Sequence, residues 1–195
     1  MNSPTEVRQE GNQVTGHQAG RDVNVSTTIY QQPQQGSLMR TLIARYKSEV
    51  ENNPDFRQII EELQHYLTSA DEDGVKVVGL EVKLKTAGRQ DDVRRAARLK
   101  EIFFKKLERH YFSETAQHIY AYILGRLFQL FNIEVRPLLY AQVERFAIDR
   151  IVHERVLQPV FTELEDNVLL IKHDELSGML YFLTGNCHIR WTESC

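Results

Sequence analysis

The chain has 195 residues and a formal net charge of −3, and with 42% hydrophobic and 26% charged residues it fits one well-buried domain with a tail. That balance argues neither for nor against a polyanionic partner; no apolar run approaches the roughly 18 residues of a bilayer span, and residues 1–20 are polar where a signal peptide would be apolar, so a cytoplasmic protein is expected. Two cysteines, Cys187 and Cys195, exclude a disulfide framework and a four-cysteine metal site.

Residues 1–36 lack a helical period and are rich in Gly, Gln, Asn, Thr and Ser, so they read as a leader and linker ahead of a helical interaction domain over 37–195. Within the leader, Gly11, Gly16 and Gly20 punctuate a strip in which Val14, Ala19, Val23 and Val25 recur among polar residues such as Asn12 and Asp22. Glycine permits the corners and the small aliphatic residues point inward, yet one such strip buries too little surface to fold alone. The reading is a short β-like oligomerisation segment over 11–25, completed by the same segment of neighbouring subunits; a polar tail without order is the alternative. The glycines fit neither the dinucleotide fingerprint nor a phosphate loop, and no cofactor is expected.

Leu38, Leu42, Ile43, Tyr46 and Val50 give a first helix over 38–50. Asn53 and Pro54 suit the cap and first position of a second helix, with Phe56, Ile59, Ile60, Leu63, Tyr66 and Leu67 along its stripe. The acidic turn Asp71-Glu72-Asp73-Gly74 lacks the alternating ligands and closing glutamate of a calcium loop. Residues 75–86 alternate like a strand at their end but also carry a helical stripe through Val77, Leu80 and Leu84, and a helix is favoured. A long helix then runs from Gln90 or Asp91 to about His110, with Val93, Ala96, Ala97, Phe103, Phe104, Leu107 and Tyr111 inward and Lys100 snorkelling from that arc.

Residues 83–109 hold ten Lys or Arg against four acids. Arg94, Arg98, Lys105 and Arg109 fall within roughly 60° on one helical face, as phosphate contact would require. Glu101 and Glu108 share that stripe and are placed for i,i+3 and i,i+4 pairing, the ordinary pattern of a solvated helix, which is the favoured reading.

Residues 113–131 form the segment around which the chain is organised, a helix capped by Ser113 with Glu114 in its first turn. Its apolar residues cover an arc of about 200°, twice that of a surface helix, so it should be central and leave only His118, Tyr122, Gly125, Arg126 and Gln129 outside. Residues 132–142, with Pro137, read as a connection. Another long helix opens at Ala141 or Gln142, with Val143, Ala147, Ile151, Val156 and Val160 inward and Pro159 kinking or restarting it. His153-Glu154 lacks the second histidine of a zinc-protease helix, and no metal site is expected.

At the end, residues 168–171 suit a buried strand, Leu176–Leu183 a nearly all-apolar helix closed by Gly185, and Cys187, Ile189 and Trp191 alternate with His188 and Arg190 as in a half-buried strand. Cys187 and His188 would then point to opposite faces, so a Cys–His enzyme would have to borrow His110, His118 or His173. The fold class is therefore mainly α, with a small C-terminal strand–helix–strand element.

The leader residues Gly11-Asn12-Gln13 and Ala19-Gly20-Arg21-Asp22-Val23-Asn24 resemble the N-Q-A-G-x-D-I-N type of leader on components of bacterial ABC-three-component conflict systems. The run S-G-M-L-Y-F-L-T-G-N-C-H-I-R-W, ending at Trp191, resembles a C-terminal helical domain of the same systems. The resemblance implies a defence module in which an ABC-type ATPase senses an invader and another component delivers an effector through a shared C-terminal interaction domain. This chain departs from that plan, because only the leader stands where a nuclease, protease or pore-forming domain would be. What carries over is a non-enzymatic, homo-oligomeric adaptor that docks to the ATPase and other components; a nucleic-acid-binding regulator using 83–109 is the alternative, and no membrane partner is expected.

Overall fold

The computed structural model describes residues 36–52, 59–69 and 79–192; the leader segment 11–25, the Asn53-Pro54 helix start and the acidic turn 71–74 lie outside the described residues. In chain order the helices are α1 (Gly36–Asn52), α2 (Glu61–Leu67), α3 (Leu80–Thr86), α4 (Val93–Arg109), α5 (Glu114–Leu130), α6 (Arg136–Tyr140), α7 (Arg145–Ile151), α8 (Gln158–Glu163) and α9 (His173–Gly185). A 3-10 turn over Gln90–Asp92 leads into α4, and π turns occupy Phe131–Val135 and Val152–Leu157. The described residues are mainly α and contain no strand.

Helix α5 begins as its sequence dictates: Ser113 Oγ accepts the Ala116 amide at 3.0 Å, and Glu114 occupies the positive first turn. Ala116, Ile119, Tyr120, Ile123, Leu124 and Leu127 are buried, and α1, α2, α9 and the second π turn pack around them. Phe128 reaches solvent, so the buried arc is narrower than the apolar one. On the open side, Arg126 grips Glu163 of α8 through Nε–Oε2 at 3.0 Å and Nη2–Oε1 at 2.6 Å, and the Tyr122 hydroxyl donates to the same carboxylate at 3.1 Å.

Helix α2 starts at Glu61, because the Ile60 amide donates to Gln117 Oε1 at 2.8 Å and its backbone is extended, leaving Ile59 and Ile60 ahead of the helix. Helix α4 buries Ala96, Leu99, Phe103 and Leu107, while Ala97 and Phe104, expected inward, lie at the surface. The reason is α9, which packs along α4 as the most extensive helix pair in the fold. A Cβ built on Gly178 would stand 2.9 Å from the Leu99 carbonyl carbon and 3.0 Å from Phe103 Cβ, so only glycine lets the two backbones meet there.

Among the described residues, the two helical prolines, Pro137 and Pro159, each follow a π turn. The Arg136 amide reaches back to Phe131 O and the Gln158 amide to His153 O, five residues rather than four. The wider turn makes room for Pro137 and Pro159, which lack an N–H and would clash with a carbonyl of a regular turn. The expected connection over 132–142 is thus helical as far as Tyr140, and the next helix starts at Arg145 rather than Ala141 or Gln142.

The strand–helix–strand element is corrected. Residues 168–171 form a tight turn in which the Asn167 side chain donates to Ile171 O at 2.7 Å and accepts the Ile171 amide at 2.8 Å, replacing the partner a strand would need. After α9 the chain wraps over the helix end. The Cys187 amide donates to Thr184 O at 3.2 Å and the His188 amide to Leu183 O at 2.9 Å, with Cys187 at φ 65°. This is a Schellman cap with cysteine in the left-handed position usually held by glycine. The alternating burial of Ile189 and Trp191 comes from that wrap, not from a sheet.

Candidate functional site

Of the ten cations of residues 83–109, six (Lys85, Arg94, Arg95, Arg98, Lys105 and Arg109) are exposed and four turn inward. Arg94, Arg98, Lys105 and Arg109 are exposed on α4, away from its buried stripe, and Lys105 Nζ pairs with Glu101 at 2.6 Å. Lys83, Arg89, Lys100 and Lys106 turn inward. The Lys106 ammonium bonds Leu170 O at 2.7 Å and Glu175 at 2.8 Å. The Arg89 guanidinium is buried, pairs with Asp149 at 2.6 Å and lies 4.2 Å over the Trp191 ring.

Lys83 and Lys100 converge on the C-terminal end of α9, where carbonyls and the helix dipole favour positive charge. Lys83 Nζ is buried and donates to Thr184 O at 2.7 Å, Gly185 O at 3.2 Å and Cys187 Sγ at 2.9 Å, which uses its three protons. Lys100 Nζ approaches Gly185 so closely that a Cβ there would stand 2.6 Å away, and burial with the Lys83 charge pushes the Lys100 ammonium below its ordinary value. Sequence reasoning missed Lys83. Its signal was position, since Lys83 falls beside Leu80 and Leu84 on the inward stripe of α3.

Beside this helix end lies a cavity of about 230 Å³. Helix α2 supplies His65, α5 and its π turn supply Phe128 and Asn132, α6 supplies Arg136, Leu139 and Tyr140, and the chain after α9 supplies Cys187, His188, Arg190 and Thr192. Arg136 Nε donates to the Tyr140 hydroxyl oxygen at 2.7 Å, one helical turn away. His188 Nε2 stands 3.1 Å from Thr68 O, and because a carbonyl only accepts, that nitrogen carries the proton. The His65 and His188 rings are 5.2 Å apart. The structure therefore brings His65 and His188 to the cavity lined by Cys187, not the three histidines named from sequence. His110 packs on Tyr120, His118 lies 3.6 Å from Glu114, and His173 stacks on Phe161.

Two of these histidines make stability depend on pH. Burial holds His188 below the ordinary imidazole value, and burial with the charges of Lys106 and Arg109 does so for His110. Between those lowered folded values and the unfolded value of about 6.5, the unfolded chain binds more protons, so stability falls as pH drops below 6.5. Carboxylates held down by lysine bonds, Glu101 by Lys105 and Asp166 by Lys47, lose their contribution only at more acidic pH. Urea unfolding should show lower stability at pH 5.5 than at pH 7, with the difference reduced in His110→Gln and His188→Gln; equal stability at both values contradicts the assignment.

Among the described residues no group of three or more His, Cys, Asp or Glu could hold a metal ion, and no helix is long and apolar enough to cross a membrane. The segment read as the oligomerisation strip, from Gly11 to Val25, lies outside the described residues. A family model described as CTD9, C-terminal domain 9 of the ABC-three component (ABC-3C) systems, matches residues 79–191, more than half of the chain. No curated protein matches the chain, and no solved structure does.

Proposed function

The chain belongs to the family of C-terminal domain 9 of the ABC-3C systems, and from that membership we propose that it is a non-enzymatic, homo-oligomeric adaptor of such a conflict system. As a component of an ABC-3C system it interacts with other components; the adaptor reading makes an ABC-type ATPase one of them. The observation that carries the reading is the family match over 79–191, which takes in α3 to α9 and the cap after α9. Leu170 supports it. This residue is 73% exposed with φ 50°, on a turn fixed by Asn167 and by Lys106, a rigid apolar point of the kind that docking surfaces use.

The mechanism in this reading is avidity. Leader segments over 11–25, associated between subunits, hold several weak docking surfaces together, so each engages at a raised effective concentration without new contacts. Light scattering on a sizing column tests it, comparing the full chain with a version starting at Gly36, where α1 begins. The full chain should be multimeric and the shortened one monomeric, with weaker capture of the ATPase component by the monomer. Two monomers would remove the mechanism, and two equal multimers would assign assembly to the helical domain.

A further inference from the structure

We propose that Cys187 and Lys83 form a redox-sensitive covalent link, a sulfenamide made when hydrogen peroxide oxidises the Cys187 thiol. Cys187 is one half of a bonded pair: Lys83 of α3, 5% exposed, donates from Nζ to its sulfur at 2.9 Å, across 104 positions of sequence. The other two protons of that ammonium are held by Thr184 O and Gly185 O, so the nitrogen is fixed at the sulfur before any oxidant arrives.

Cysteine also stands where the backbone favours glycine. A φ of 65° is costly for any residue with a Cβ, so the residue that would close the α9 cap most easily is not the one present. What cysteine adds there is a sulfur on an amine. The thiol is half-buried and lines the cavity beside the helix end. At about 230 Å³ that cavity far exceeds the roughly 10–15 Å³ that admits one water, so a molecule as small as a peroxide reaches the sulfur.

The chemistry has two steps. The thiol attacks peroxide: an S–O bond forms, the O–O bond breaks and water leaves, with sulfur oxidised by the two electrons that reduce the peroxide. The Lys83 ammonium then passes the proton now aimed at the sulfur to the new hydroxyl, and the lone pair so freed attacks the sulfur. An N–S bond forms, the S–O bond breaks, a second water leaves, and the nitrogen sheds one further proton to solvent. The flexible Lys83 stem closes the remaining distance. The carbonyl end of α9 keeps a cation in the linked state, because the Lys100 ammonium lies beside Gly185. Burial and the Lys83 charge hold Lys100 below its ordinary value, and the second of these disappears with the link. The bond fastens α3 to the cap after α9, near the two ends of the region 79–191. It needs neither the leader nor assembly, so it stands apart from the adaptor reading.

The test is tryptic peptide mapping of the full chain after treatment with hydrogen peroxide, with Cys195→Ser alongside because Cys195 is the other thiol. In both proteins trypsin should no longer cut after Lys83, and the Lys83 and Cys187 peptides should appear joined, lighter by two hydrogens than their sum. Dithiothreitol should separate them. Lys83→Arg keeps the charge and the donors but offers no amine, so it should lose the link and gain labelling of Cys187 by dimedone, which traps sulfenic acids. Where that variant fails to fold, the wild-type map decides alone. Three outcomes overturn the proposal: Cys187 left unlinked after peroxide, whether as thiol, sulfenic or sulfinic acid; a link from Cys187 to Lys100 or another lysine; or a two-hydrogen loss that vanishes in Cys195→Ser, the mark of a disulfide.

Discussion

Gly178→Val should leave the helical domain unfolded or close to it at room temperature. Helices α4 and α9 make the most extensive helix pair in the fold, and Gly178 lies against the α4 backbone within it. The atoms a new Cβ would meet include the Leu99 carbonyl group, which is backbone inside α4 and cannot rotate aside as a side chain would. Relief therefore requires α4 to move as a body, and with it Phe103, whose ring packs edge-on to Phe182 of α9 at 5.2 Å and against Tyr120 of α5 at 6.0 Å. Overpacking typically costs 1–3 kcal/mol where side chains can adjust; a rigid contact places alanine near the top of that range and valine above it. Replacing a mid-helix glycine by alanine would otherwise gain up to about 1 kcal/mol of propensity, so the clash outweighs the gain by a factor of two or more. Circular dichroism across a urea series reads this directly. A Gly178→Ala protein as stable as wild type would mean that the helices do not approach as described.

The same contact shows what was legible in the sequence and what was not. Ser113 with Glu114, and the dense apolar residues that follow, specify a capped central helix by local rules alone, and α5 obeys them. Proline positions were legible as perturbations, but the answer to them was not: a π turn ahead of Pro137 and Pro159 widens the helix where a break or kink was expected. Gly178 carries no local signal of a helix crossing, because a glycine in a helical pattern marks only a propensity cost until the neighbour is known. The inward turn of Ala96, Phe103 and Leu107 was legible in α4 itself, whereas the burial of Leu99 in place of Ala97 and Phe104 follows from where α9 lies. Charges were misread for a related reason. Lys83 looks like a solvated residue of a basic region, and Lys100 like a snorkelling one, until the carbonyl end of α9 is placed beside them.

Trp191→Ala should destabilise the fold by about 3–5 kcal/mol, the range for truncating a large buried aromatic residue. Read as one residue of a terminal strand, Trp191 would concern only its own edge; in the fold it clasps three elements. Its ring meets Phe131 of the π turn edge-on at 4.9 Å, the buried Arg89 guanidinium covers its face at 4.2 Å, and Nε1 donates to Thr184 Oγ1 of α9 at 3.0 Å. Alanine opens a cavity against Phe131 and removes the aromatic face from a guanidinium that is 5% exposed. Arg89 keeps its ion pair with Asp149, so the charge is not stranded, which holds the loss within the cavity range instead of beyond it. Trp191→Phe separates the parts. It retains a ring for Phe131 and Arg89 but leaves Thr184 without the indole donor, and should cost about 1–2 kcal/mol. The hydroxyl of Thr184 still donates to Leu180 O at 2.9 Å, so this smaller loss measures the indole bond and not the collapse of the helix end. Denaturant midpoints for the two variants should therefore fall in the order wild type, phenylalanine, alanine. An alanine variant that unfolds with the wild type would mean that the segment after Cys187 frays independently of α5 and α9, and that the cap on α9 ends at His188.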